Sequence, residues 1–448
     1  MELNPIGPPH NFYIKFPRDS LPEPVAIFIT GITPQKAIAD GITEAEFLKI
    51  FDSQIATPET IMVGFNTLRF DDEFMRYLRY RNFYDAYEWG WKDGRSRWDL
   101  LDMVRMVRAL RPSDIKWPFN SDGQPTNRLE LLTALNKLSH DNAHDALNDV
   151  YASIAVAKLM KDKQPKLFDF LLNMRTKQAV AKLVHAGQPY LYTSGRYANE
   201  FEKTTVVATL ADHPDKQAAF VFDLRYDPTP FAKLKPDAMV EAWRRKKGET
   251  GPRLPVKTIT FNRCPAIAPL SVLDEASQKR LKLNPQTIAK NFKALQEVKD
   301  ELVPNMLAAL RLITKKQQLK FMQDDQVVDN LLYDGFFEPA DQKRMAEVRS
   351  ADPQKLKELT LDFEDSRLQA LLPLYKARNF PQSLTNAEQK IWENYRTQKL
   401  LQGKRSNRLV RFYKQLDDMK KKGQLTDHQK YLLEELRLFA ESIMPVEA

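Results

Sequence analysis

A chain of 448 residues is too long for one compact core and calls for two to four domains; its 43% hydrophobic and 28% charged residues exclude a disordered polymer, and no apolar run reaches the ~20 residues of a membrane span. The formal charge of +9 admits a polyanionic partner without requiring one. A single cysteine, Cys264, excludes an internal disulfide, and the opening MELNPIGPPHNFYIKF lacks the basic-then-apolar order of a secretory signal, so a reducing cytoplasm is expected.

Taken in chain order, "VAIFIT" (25–30) and "TIMVGFN" (60–66) read as apolar strands buried in an α/β sheet. Between them Thr33-Pro34 reads as a helix start, a capping hydroxyl followed by proline at the first helical position. The second strand runs into "GFNTLRFDDEF" (64–74), with Asn66, Phe70 and the paired acids Asp71 and Asp72, at the place where ligands gather in open α/β sheets. Next comes "RYLRYRNFYDAYEWGW" (76–91), seven aromatics interleaved with Arg76, Arg79 and Arg81, a composition suited to stacking unpaired bases while neutralising phosphates. Core packing of a helix explains part of the aromatics. Helical periodicity covers "RWDLLDMVRMVRAL" (97–110), "LELLTALNKL" (129–138) and the long amphipathic "AHDALNDVYASIAVAKLMKDK".

From about residue 186 the pattern shifts to short extended pieces. "TTVVATL" and "AAFVFDL" flank the turn-like "ADHPDK" as a hairpin, and "VKTITFNRC" (256–264) is a further strand. Asn284-Pro285 opens a helical remainder, within which Thr385 and Glu388 form a capping box.

The chemistry centres on "NAHDALNDV" (142–150). His144 and Asp149 are five positions apart, ~140° around a helix, so the histidine belongs to the preceding loop, with Asp145 as N-cap and Asp149 in the first turns. A histidine that titrates near neutrality can take a proton from water, and a carboxylate can hold Mg²⁺, which together suit phosphodiester hydrolysis. The plainer alternative is a capped helix with an ordinary loop histidine and a solvated aspartate.

"ITGITP" (29–34), "NTLRFDDE" (66–73), "RNFYDAYEWGW", "SRWDLLD" (96–102), "NAHDALNDVYASIA", "LYDGFFEPAD" and "ARNFPQSL" together, and in this order, resemble the bacterial exonuclease I family, single-strand DNA 3′→5′ exonucleases of the DEDDh group. The resemblance implies an α/β chain: a ribonuclease H-like exonuclease domain (1–160), an SH3-like β-rich domain (165–313) and an all-helical C-terminal domain (314–448). It implies that Asp71 and Asp149 are metal-binding acids for a pair of Mg²⁺ ions and that His144 is the general base. Arg128 takes the family's substrate-contacting arginine position, and Arg76, Trp91, Arg105 and Arg111 fall in segments lining the strand path. Family members begin with a strand carrying an Asp-x-Glu pair, whereas this chain aligns from the segment after it, so the expectation is a shortened chain holding half of the metal site. Three readings follow: release of 5′-mononucleotides from single-stranded DNA in repair and recombination, single-strand binding without chemistry, or an RNA-directed nuclease of the same group. The resemblance further implies a monomer that docks the acidic C-terminal tail of single-stranded DNA-binding protein. The basic residues expected for that tail are absent from "NFKALQEV" (291–298) and "CPAIAPLSVLDEA" (264–276), and the clusters "RRKKGE" and "DDMKKKGQ" are substitutes.

Overall fold

The structure is a computed structural model that describes residues 2–138, 146–246, 248–321, 327–402, 407–421 and 423–445. They divide into two compact units, one built mainly from residues 61–69 and 96–323, the other from 6–60, 70–95 and the chain from 327 onward.

In the first unit, β1 (Ile61–Gly64) pairs in parallel with β2 (Ser96–Asp99), Ile61 opposite Ser96 and Gly64 opposite Asp99. The segment expected to be helical from residue 97 therefore begins as a strand and becomes the helix Leu100–Leu110 only after Asp99, whose side chain caps it. That helix buries Met103, Val104, Met106, Val107 and Leu110, which share a core with Leu132, Val156, Met160 and Phe168. Helices Leu129–Leu135 and Ala146–Lys163 occupy the expected stretches, while residues 139–145 lie outside those described.

A five-stranded antiparallel sheet follows: β3 (Tyr190–Thr193), β4 (Thr204–Asp212), β5 (Ala218–Asp223), β6 (Val256–Thr260) and β7 (Ala266–Pro269), in the order β6-β5-β4-β3-β7. The expected hairpin is β4–β5, and the third strand is β6. Alternation along β5 supplies two cores at once, because successive strand residues point to opposite faces. Phe220 and Phe222 join the core that includes Leu295, Leu302 and Met306 of the helix Pro285–Phe321, while Ala219 and Val221 pack with Val180, Val184 and Ile267. Asn284 opens that long helix as anticipated, accepting from the Thr287 N–H at 3.0 Å.

The second unit is helical. Tyr80, Phe83, Leu371, Leu374, Tyr375 and Trp392 form one core, and Ile27, Leu409, Phe412, Leu432 and Leu436 another. Thr33 caps Pro34–Asp40, and Thr385 with Glu388 makes a complete capping box on Asn386–Leu401. The strand expected at 25–30 is instead the helix Pro24–Thr30. Proline at its first position and Gly31 at φ 68 after its end frame one short helical segment. A short apolar run has no periodicity that separates strand from buried helix, and here Ile27 is buried while Val25 and Ile29 are exposed.

Candidate functional site

The C-terminal end of the β1–β2 pair is organised by Asp99, which is buried. One of its carboxylate oxygens accepts from the Asn66 N–H at 2.8 Å and the Leu101 N–H at 2.9 Å, and the other accepts from the Leu68 N–H at 3.2 Å. Burial pushes the Asp99 acid above the ordinary carboxylate range and the nearby Asp102 adds to this, while the three N–H donors oppose it. Sequence reasoning passed over this residue. The available signal was an acid ending one extended segment and opening a helix in "SRWDLLD".

Asp71 opens the helix Asp71–Arg81, so the two acids expected to terminate a strand instead begin a helix, where a carboxylate meets the favourable end of the dipole. Asp71 lies at the surface and Asp72 is buried. Surrounding protein atoms raise the Asp71 acid, its own backbone N–H opposes the rise and Asp72 adds to it. Asp149 lies in the first turn of Ala146–Lys163, half-buried, as expected. His144 and the proposed cap Asp145 lie outside the described residues.

The residues expected along the strand path differ in availability. Arg128 immediately precedes the helix Leu129–Leu135; it is exposed, and its side chain makes no hydrogen bond or ion pair among the described residues. Trp91 is 63% exposed. Arg105 is held by Asp102 at 2.6 Å with its guanidinium against Gly195, where an added Cβ would come within 2.9 Å of it. Arg111 donates to the Val272 carbonyl at 2.7 Å and pairs with Asp274 at 3.0 Å. Arg76 is buried, paired with Glu73 and lying over the Tyr87 ring. Of its companions, Arg79 pairs with Asp52 at 2.5 Å and Arg81 with Glu44. Tyr80, Phe83 and Trp89 are buried. The aromatic and arginine segment is thus largely internal structure, with Trp91 its exposed end.

Among the described residues, no three His, Cys, Asp or Glu side chains converge in a way that could hold a metal ion. These residues do not by themselves make the divalent-ion site that the resemblance implies.

Residues 1–157 match the family model described as Exonuclease, 175–310 the Exonuclease I SH3-like domain and 326–443 the Exonuclease I C-terminal domain. The class is therefore a ribonuclease H-like exonuclease domain followed by an SH3-like domain and a helical C-terminal domain. Exodeoxyribonuclease I of Escherichia coli (strain K12) is 41% identical over 402 residues, 89% of this chain and 83% of that one. The Haemophilus influenzae exodeoxyribonuclease I is 41% identical over 408 residues, 89% and 84% of the two chains. Exonuclease I from Methylocaldum szegediense superposes with a TM-score of 0.90 at 38% identity, over 99% of this chain and 93% of that one. E. coli Exonuclease I in complex with a dA16 oligonucleotide gives 0.89 at 38% identity and the same coverage. An ExoI/SSB-Ct complex gives 0.88, again at 38% identity with 99% and 93% covered. The chain belongs to the exodeoxyribonuclease I family. No helix among the described residues is long and apolar enough to cross a membrane.

Proposed function

We propose that this chain hydrolyses single-stranded DNA from the 3′ end and releases 5′-mononucleotides, in DNA repair and recombination. The observation that carries this reading is the match of three exonuclease segments, in order, along one chain whose relatives are exodeoxyribonucleases. Those relatives do not favour the reading as a strand-binding protein without chemistry. Domain limits near residues 160 and 314 go with this proposal.

Because the described residues do not complete an ion site, no step is assigned to a metal. What the chain's own residues contribute is proton transfer and grip. His144 takes a proton from the attacking water as the water oxygen bonds to phosphorus and the P–O3′ bond breaks, with the leaving 3′ oxygen gaining a proton from solvent. Asp71 and Asp149 are the acids of the site, and Mg²⁺ is the ion to supply in the assay. Arg128, exposed and without a partner among the described residues, is the cation that meets a phosphate, and Trp91 offers a face on which a base can stack. The matched dA16 complex and the matched SSB-Ct complex support single-stranded DNA and the C-terminal tail of single-stranded DNA-binding protein as partners. A cytoplasmic monomer is part of the same proposal and rests on the resemblance alone.

The test is a 5′-labelled oligonucleotide incubated with the purified chain in Mg²⁺, and in parallel with chelator. Progressive shortening that chelator abolishes is expected, faster on DNA than on a matched RNA. Retardation of the oligonucleotide without shortening would overturn the reading. His144→Ala is expected to lower the rate ~10² to 10⁴-fold, the usual scale for a lost general base, with strand binding retained. Turnover equal to the parent would remove His144 from the mechanism.

A further inference from the structure

We propose that Lys203 and Arg105 together seat one phosphate of the single strand, where the β3–β4 connection packs against the helix Leu100–Leu110. The proposal rests on the nuclease reading above and adds a substrate-binding residue from the SH3-like segment.

The connection runs over residues 194–203. Near its start, Gly195 lies so close to the Arg105 guanidinium that a Cβ there would come within 2.9 Å of Nη1 and 3.2 Å of Cζ. At its end, the Lys203 carbonyl accepts from the Ser194 N–H at 2.9 Å, directly beyond the last β3–β4 pair, Thr193 opposite Thr204. Lys203 therefore stands across from the residue before Gly195, and it shares this end of the sheet with Arg105. Two consecutive residues here, Glu202 at φ 46 and Lys203 at φ 58, take the left-handed conformation without being glycine. Backbone held in that region is a recurrent feature of ligand-binding segments, where it aims a side chain.

The charges that meet at this place are unbalanced. Asp102 engages Arg105 Nη1 at 2.6 Å, while Arg105 Nε is buried and has no hydrogen-bond partner among the described residues. The neighbouring acid Glu202 is spent on Arg108, at 3.1 Å. Lys203 is half-buried, and its ammonium makes no hydrogen bond or ion pair among the described residues. Burial pushes that ammonium below the ordinary lysine range, and Arg105 pushes it further. Arg196, next to Gly195, and Arg69 are both exposed and likewise make no side-chain hydrogen bond or ion pair among the described residues. Burial raises the Tyr192 hydroxyl of β3, and both of these arginines are near enough to oppose the rise. Four cations thus gather around Asp102. Such an arrangement costs the free protein stability, and a bound anion relieves it. A lone carboxylate would satisfy one cation, whereas a strand brings evenly spaced phosphates to several. A phosphate can also accept from a guanidinium fork and an ammonium at once.

The test is single-strand binding by the full chain in chelator, read as fluorescence anisotropy of a labelled oligonucleotide over a salt series. Lys203→Met is expected to weaken binding about tenfold, the scale of one charge-assisted hydrogen bond, and to reduce the salt slope by about 0.7, one phosphate contact. Lys203→Arg keeps the charge and should keep the slope. Lys203→Gly, which suits the left-handed backbone, should match Lys203→Met in slope with a urea midpoint near the parent's, separating a lost contact from a lost fold. An unchanged slope in both neutral variants, or an equal fall in Lys203→Arg, would overturn the proposal. Competition by deoxyadenosine 5′-monophosphate distinguishes the sources of the phosphate, and its affinity should be the same in Lys203→Met as in the parent. Weaker mononucleotide binding with unaltered strand affinity would assign the seat to released product and overturn the proposal, as would a loss confined to an acidic peptide. If the parent shortens no oligonucleotide in Mg²⁺, the nuclease reading fails by itself. The salt slope in chelator then decides the seat alone: a fall in the neutral variants would uphold it, and no change would overturn it.

Discussion

Two buried carboxylate centres, one in each compact unit, solve the same problem in opposite ways. At the end of β2, Asp99 is surrounded by backbone N–H groups and its acid is raised. In the helical unit, Asp19 and Asp329 share two cations. Asp19 accepts from Arg378 at 2.6 Å and from Lys399 at 2.7 Å; Asp329 meets the same two at 2.7 Å and 3.2 Å and also accepts from the Tyr395 hydroxyl at 2.5 Å. Burial pushes both of these acids up as well, but Arg378 and Lys399 outweigh it and hold them below the usual carboxylate range. Backbone dipoles soften a desolvation penalty, whereas whole positive charges reverse it. One centre is therefore a stabilising knot, while the other ionises at a cost and earns its place through geometry.

The largest test of this contrast is Arg378→Met. It leaves Asp19 and Asp329 with Lys399 as their one cation among the described residues and is expected to cost about 3–5 kcal/mol, the range for removing one partner of a buried ion pair, read by urea denaturation. A loss under ~1 kcal/mol would mean that the knot is tolerated rather than stabilising.

Acid titration separates the two centres by sign. For Asp19 the folded value is lowered, so its stabilisation is present above the unfolded value of about 4 and is lost as pH falls through the folded one. For Asp99 the folded value is raised, so its contribution is present below about 4 and is lost as pH rises through the folded one. Below about pH 4, then, Asp19→Asn should lose ground to the parent as pH rises, and above about pH 4 Asp99→Asn should gain it, each by at most about 1.4 kcal/mol per pH unit per proton. Denaturation midpoints across that range read both slopes, and two slopes of one sign would break the comparison.

Arginine gives the smallest effect and a parallel contrast. Arg378 is buried and doubly paired, whereas Arg128 is exposed and unpartnered among the described residues. Arg128→Ala should leave stability within ~0.5 kcal/mol, as for a free surface residue, and reduce the salt slope of single-strand binding by about 0.7, one phosphate contact. An unchanged slope would place the phosphate elsewhere.

The sequence by itself determined the elements whose signals are local. Thr33-Pro34, Asn284-Pro285 and the Thr385–Glu388 box start helices where they stand, because capping needs only residues within one turn. The β4–β5 hairpin and the placement of Asp149 in a helix's first turn were legible for the same reason. Tertiary structure decided the rest. The apolar 25–30 run became a helix because Ile27 found a helical core to enter. Arg79 and Arg81 of the aromatic segment were taken into ion pairs when Asp52 and Glu44 reached them from other elements. Asp99 acquired its role only when parallel pairing brought β1 beside β2, and Asp19 found Arg378 at a separation of 359 residues. A charged residue's identity is written in the chain, but what it pairs with is set by burial and by distant partners, which no local pattern encodes.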